Sequence, residues 1–362
     1  MDWTFHEIIL QSTPISFTAS LGYAYHGKLD YLKSLHNRKV VHFNICNYAA
    51  EGGQIEILQW AHSNGYQWDS ISIGCAAKAG QIETIKFLRN QGCEWNIGCS
   101  VQAAREGQLD TLKWLHLNNC PIDAYTVHNA AMTGHFEVVK WLKETGYECD
   151  EDTCRYAAMA GHLDMLKWLR QNGCKWNVYT CAAAAEEGHL EVLKWARTNG
   201  CDWDKDTTSE AAKGGHLEML KWAIANGCPY NAVTCRYAAQ GGHLETVKWL
   251  RANGCPWDKY SVKFAAYYGQ IEMLQYLEEN GCEREEDALS LAAEMGHWKA
   301  AQWLKTKGYT WDVNTCERAV TRGQLESVKW LVENGCPWNK ENCLVIARTY
   351  MHSDLEAWLK KQ

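Results

Sequence analysis

The sequence predicts an all-α solenoid of about twelve helix pairs, and three observations carry that prediction. Eleven glycines (Gly53, Gly80, Gly107, Gly134, Gly161, Gly188, Gly215, Gly242, Gly269, Gly296 and Gly323) each precede His or Gln and stand at steps of 27 residues, with Gly27 one step of 26 earlier. The pattern Ala-Ala-x-x-Gly-His-Leu-Glu recurs around them, as in Cys181–Asp204, Ser209–Asn231 and Cys235–Asp258. Five units close on Gly-Cys-x-Trp-Asp/Asn, and several others on close variants of it. A fixed period of this size is the signature of stacked repeats, in which each unit contacts only its neighbours.

One unit, Asn231–Gly254, justifies the elements in order. Asn231 suits a helix N-cap, because its side chain can accept from first-turn N–H groups that have no helical partner. Asp204 and Asp258 hold the same place in other copies. Helix A then runs through Thr234, Cys235, Ala238 and Ala239, whose small side chains let a neighbouring helix approach closely. Gly241-Gly242 ends it and reverses the chain. Helix B runs from about His243 to Ala252, with Leu244, Val247, Trp249 and Leu250 as an apolar stripe wide enough to pack on more than one side. Glu245 and Lys248, three apart, form an expected exposed pair. Gly254 ends helix B, and Cys255-Pro256-Trp257 leads to the next cap, Asp258.

The pattern A-A-x-x-G-H-L-E-x-x-K-x-L…N-G closely resembles the ankyrin repeat along nearly the whole chain. That resemblance implies an ankyrin-type helix-turn-helix solenoid. It also implies a structural role for the turn histidines His135, His162, His189, His216, His243 and His297. The sequence departs from the family in length: only about four residues, such as Cys201–Asp204, link one pair to the next, so β-hairpin fingers are expected to be absent or vestigial. The short Gly-Cys-x-Trp-Asp/Asn ending resembles repeats of amoeba-infecting giant viruses and some protists.

Residues 1–16 do not match the repeat and are read as an N-terminal cap on the first open face. Residues 17–340 form the array. Its first link, His36–Val40, lacks both Gly-Cys and Trp, and its tenth unit ends in the acidic stretch 278–287 with Arg284 where Trp is expected. Residues 341–362 are read as C-terminal capping helices.

Composition narrows the function. The chain has 362 residues, 46% of them apolar, and a net charge of −7, which argues against nucleic acid as the main partner. No secretory signal or membrane-length apolar run is evident. The 17 cysteines fall mainly in two columns, one in helix A and one in the loop after helix B. Equivalent positions in stacked helices lie about 8–10 Å apart, whereas a disulfide needs Cα atoms within about 7 Å. They are therefore read as free, buried thiols, which implies a reducing, cytoplasmic setting, host cytoplasm or virion if the source is viral. Of the 19 tryptophans, ten form a column in helix B and seven one in the loops, read as packing that locks neighbouring repeats.

No phosphate loop, nucleophile elbow or H-E-x-x-H helix occurs, so no enzyme, cofactor or metal site is expected. What varies between repeats is the pair before the turn glycine. In ankyrin proteins the resemblance makes this the inner, partner-facing end of helix A. The candidate partner-binding residues are Arg105, Glu106, Met132, Met159, Glu186, Glu187, Lys213, Tyr267, Tyr268, Glu294, Met295 and Arg322. Tyr267 and Tyr268 are expected to be two adjacent exposed aromatics beside the acidic stretch. The expected function is a non-catalytic scaffold or adaptor that binds a protein on an extended concave helix A surface. The alternative is a structural component of a viral particle or large assembly. The chain is read as a monomer, with self-association left open.

Overall fold

The structure, a computed structural model, describes residues 18–362. The expected N-terminal cap therefore lies outside the described residues. The chain divides into two compact units, the first ending at Trp176 and the second spanning Asn177–Gln362. Each is a stack of the same helix-turn-helix pair. Among the described residues there are 26 helices, from α1 (Ala19–Tyr25) to α26 (Ser353–Leu359), and no strand. Odd-numbered helices are helix A and even-numbered ones helix B. The fold is thus all-α and repetitive, without β-hairpin fingers.

Local chemistry sets the helix starts. Asn231 opens α17 (Ala232–Gly241) from extended backbone. Its side chain accepts from the Val233 N–H at 2.9 Å, and Thr234 completes a capping box. Asp69, Asn177, Asp204 and Asp258 cap their own helices in the same way. Helix A then buries Thr234, Cys235, Ala238 and Ala239, as their small size suggested. In α18 (Leu244–Ala252) the buried residues are Thr246, Val247 and Leu250, while Leu244 and Trp249 are half-buried. A fully covered leucine such as Leu250 contributes about 1.5–3 kcal/mol. The exposed face carries Glu245 and Lys248 at 2.8 Å, a pair repeated at Glu191–Lys194 and Glu218–Lys221.

The turn glycine has two separate reasons to be glycine. Gly215 lies at φ +74°, a left-handed geometry that a Cβ disfavours. A Cβ there would also come within 2.4 Å of the ring of His243, one repeat on. That ring lies across the turn because its Nε2–H donates to the Lys213 carbonyl at 2.9 Å. His216 does the same to Glu186 at 3.0 Å, and the Gln270 amide to Gln240 at 3.1 Å. The turn histidine is a staple between neighbouring repeats. Where glycine is missing from the turn after helix B, the chain still turns: Lys39 sits at φ 57°, in the link that lacks Gly-Cys.

Loop cysteines and tryptophans complete the joint. The Cys201, Cys228, Cys255 and Cys282 thiols each donate to the N-cap carbonyl 24 residues earlier, at 3.3 Å. All 17 cysteines are free and all but Cys75 are buried. Burial pushes the Cys228 and Cys282 thiols up to about 12. The two columns also touch across one another, which comparing equivalent positions could not reveal. The Cys181 pKa is raised by its contact with the Cys201 thiol and by burial, and that of Cys235 by its contact with Cys255 and by burial. Loop Trp203 meets helix B Trp222 edge-on with ring centres 5.7 Å apart, and Trp95 meets Trp114 at 6.0 Å. Above five of the loop indoles sits a cation of the preceding helix B, as Arg89 at 4.3 Å from Trp95 and Arg197 at 4.7 Å from Trp203. The tryptophans of the described residues are half-buried, apart from buried Trp330, so the columns pack on one side only.

Candidate partner-binding surface

The candidate residues fall where helix A ends. Arg105 is the last residue of α7 (Ile97–Arg105) and Glu106 its C-cap. Met132 and Met159 end the first helices Ala124–Met132 and Glu151–Met159. In the second unit, Glu186 and Glu187 close α13 (Val178–Glu186), and Lys213 ends α15 (Lys205–Lys213). Tyr267 and Tyr268 close α19 (Lys259–Tyr267), Glu294 and Met295 close α21 (Ala288–Glu294), and Arg322 caps α23 (Thr315–Thr321). Each unit thus carries its own row of these positions, one per repeat.

At this site the fold clamps the backbone but does not dictate the side chain. The Glu186 and Lys213 carbonyls are held by His216 and His243. Any residue can supply that carbonyl, so nothing in the fold dictates the side chain. Exposure differs along the row. Arg105, Glu106, Glu187 and Arg322 are exposed, Met132 is 46% exposed, and Met159, Glu186, Lys213, Glu294 and Met295 are half-buried.

The tyrosine pair needs a correction. Tyr268 is 44% exposed, but Tyr267 is half-buried, its ring edge-on to Tyr268 at 5.0 Å. They are not two equal exposed anchors, because Tyr267 still belongs to the helix and its ring lies against its neighbour. The acidic stretch is also less anionic than its composition implied. Glu278 pairs with Arg284 and accepts from the Tyr309 hydroxyl at 3.1 Å. Asp287 takes Arg318 at 2.8 Å, and Glu285 lies 3.8 Å from Lys259. Among the row residues, Lys213 bridges Glu186 and Glu210 at 3.2 and 3.3 Å, and Arg322 reaches Glu294 at 3.3 Å. Desolvation raises the Glu210 pKa above the usual carboxylate value, because this carboxylate is largely withdrawn from water.

Sequence reasoning missed the N-terminal half of the same helix face. Tyr125, Tyr179 and Tyr260, each the second residue of a helix A, are 63%, 57% and 41% exposed. Between α5 (Ser70–Lys78) and α7 this face opens into a hollow of about 510 Å³, bordered by Ile71, Gly74, Lys78, Gln102 and Arg105. The available signal was the pair Gly74 and Gly98, glycines inside helices rather than at turns.

Among the described residues, no three His, Cys, Asp or Glu side chains converge to hold a metal, and no helix is long and apolar enough to cross a membrane. Most lysines of the helix B face are paired three residues back, as at Glu83–Lys86, Glu137–Lys140 and Glu326–Lys329.

Comparison with known families agrees with this geometry. A family model of ankyrin repeats in three copies matches residues 100–180 and 235–315, and one of ankyrin repeats in many copies matches 209–251. No curated protein matches the chain significantly. Ankyrin repeats are generally protein–protein interaction modules. On its period, its helix-turn-helix pairs and these matches, the chain belongs to the ankyrin-repeat family.

Proposed function

We propose that this protein is a non-catalytic scaffold or adaptor that binds a protein partner on its helix A surface. Residues 17–340 would form the recognition array and 341–362 its C-terminal cap. The observation that carries the reading is a helix A end whose carbonyl is clamped while its side chain is left open to variation, as at Glu186 under His216 and Lys213 under His243. Such a surface is ordered before any partner arrives, so binding does not have to order it. The paired lysines of helix B leave no unneutralised basic stripe there, which favours a protein over a nucleic acid.

The test is a capture experiment from lysate of the source cell under reducing conditions, with wild type beside a variant carrying Glu186→Ala, Glu187→Ala, Tyr267→Ala and Tyr268→Ala. The expected result is at least one protein held by wild type and lost by the variant, with both melting within a few degrees of each other. Prey retained equally by both overturns the placement of the site. Recovery of the protein alone, with self-association at raised concentration, replaces the adaptor with a structural component of an assembly.

A further inference from the structure

Gly74 has no structural reason to be glycine. It lies inside α5 and is absent from the positive-φ residues, so its backbone is ordinary helix. A Cβ there would meet nothing nearer than Gln102 Cγ at 3.9 Å. Glycine weakens a helix interior relative to alanine, because it gains nothing and loses more conformational freedom on folding. Gly98 differs: a Cβ there would press on its own cap oxygen, Asn96 Oδ1, at 2.9 Å. Its position is the one from which Ile71 and Tyr125 project in the adjoining repeats. Together the two glycines open the hollow between α5 and α7.

The hollow has unspent chemistry. Ile71, 60% exposed, stands beside it as an apolar wall. The Gln102 amide, half-buried beside Gly74, makes no hydrogen bond among the described residues. It offers both a donor and an acceptor, the complement of one peptide unit. At the rim, Lys78 is spent on Glu51 at 2.8 Å, and Glu106 lies in the field of that same ammonium. Arg105 is exposed and makes no ion pair among the described residues. The uncommitted rim charge is therefore a guanidinium, which suits a carboxylate.

We propose that the hollow between α5 and α7 receives one apolar side chain of an extended peptide segment in a partner protein, with the peptide backbone on Gln102 and a neighbouring acidic residue on Arg105. This rests on the reading of the helix A surface as the recognition surface and places a specificity pocket on it. Cys75, the one cysteine that is not buried, borders the same hollow, so its alkylation reports occupancy.

The experiment pans a random heptapeptide display library against the full-length protein. Enriched sequences are then synthesised with fluorescein, and their binding is measured by anisotropy. Binding is compared across wild type, Gly74→Leu, Arg105→Glu and Tyr268→Ala. Gly74→Leu fills the hollow and favours the helix, so its melting temperature is expected to equal or exceed that of wild type. Gly74→Ala, which adds one methyl group, is the second variant should leucine disturb the fold. The expected result is a shared apolar-acidic pair among the enriched peptides and binding at least tenfold weaker in Gly74→Leu and Arg105→Glu. The peptide should also slow alkylation of Cys75. No enrichment, enrichment without that pair, or equal binding to Gly74→Leu overturns the proposal. Peptides lost on Tyr268→Ala but kept by Gly74→Leu overturn the hollow while leaving helix A recognition standing.

Discussion

In the stretch Asn177–Trp257 neighbouring repeats are joined mainly by aromatic and thiol contacts, with one ion pair, Lys213–Glu186, across them. In the stretch Glu278–Arg322 they are joined by charges. In the first, Arg197 donates to the Cys201 carbonyl at 3.2 Å and covers Trp203, whose edge meets Trp222. In the second, Arg284 stands in the tryptophan position, pairs with Glu278 and lies 4.9 Å from the Tyr309 ring. Arg318 reaches Asp287 at 2.8 Å, Asp312 at 3.2 Å and Glu294 at 3.7 Å. The helices differ as well. α13, α15 and α17 have nine or ten residues and bonded caps, while α21 has seven and no side-chain cap. In register with the caps Asp204 and Asp258 stands Glu285, whose longer side chain turns to Lys259, and the helix begins only after Asp287. What both stretches keep is the turn: Gly215 faces His243, and Gly296 at φ +87° faces Gln324. The repeat is defined by its turn, and the joint between repeats can be built in more than one way.

The largest expected effect tests that shared turn. Gly215→Ala and Gly296→Ala should each cost roughly 2–4 kcal/mol, from left-handed strain plus displacement of the facing side chain. Urea unfolding measures it, and a harmless Gly296→Ala would break the equivalence of the two stretches.

An intermediate effect separates the two kinds of joint. Arg318→Met should cost about 1–2 kcal/mol, because it strands Asp287 and Asp312 and leaves Glu294 to Arg322 alone, a figure already lowered for the 30% exposure of the arginine side chain. Adding about 0.5 M salt should shrink that cost, since exposed charges are screened. The cost of Arg197→Met, which acts through stacking and one carbonyl, should change little with salt. Equal salt dependence in the two variants would dissolve the distinction.

The smallest effect concerns the caps. Asn231→Ala should lose about 1 kcal/mol with its bond to the Val233 N–H. Glu285→Asp should gain a few tenths to about 1 kcal/mol by supplying the missing cap. Thermal midpoints read both, and a Glu285→Asp variant no more stable than wild type would show that α21 is short for another reason.

Much of this was legible in the sequence. The left-handed glycines, the Asn and Asp caps, the Glu–Lys pairs and the free thiols follow from local sterics and from spacing within one repeat. The candidate row was legible too, as the pair before the turn glycine. Three things were not. The Cys181–Cys201 contact joins two columns that periodicity treats separately. Tyr267 turned out half-buried although it is adjacent to exposed Tyr268. The acidic stretch found cations as far away in sequence as Arg318, 31 residues beyond Asp287.

The sequence by itself determined the repeating unit of this protein. Where a helix begins, where it ends and which way the chain turns depend on φ, on a cap side chain and on the absence of a Cβ, all within a few residues. Only the tertiary structure decided what each side chain meets in the next repeat: the His243 ring over Gly215, the guanidinium that neutralises Asp287, and the hollow left open above Gly74. Those outcomes depend on how neighbouring helices are spaced and rotated when they stack, and local preference does not fix that.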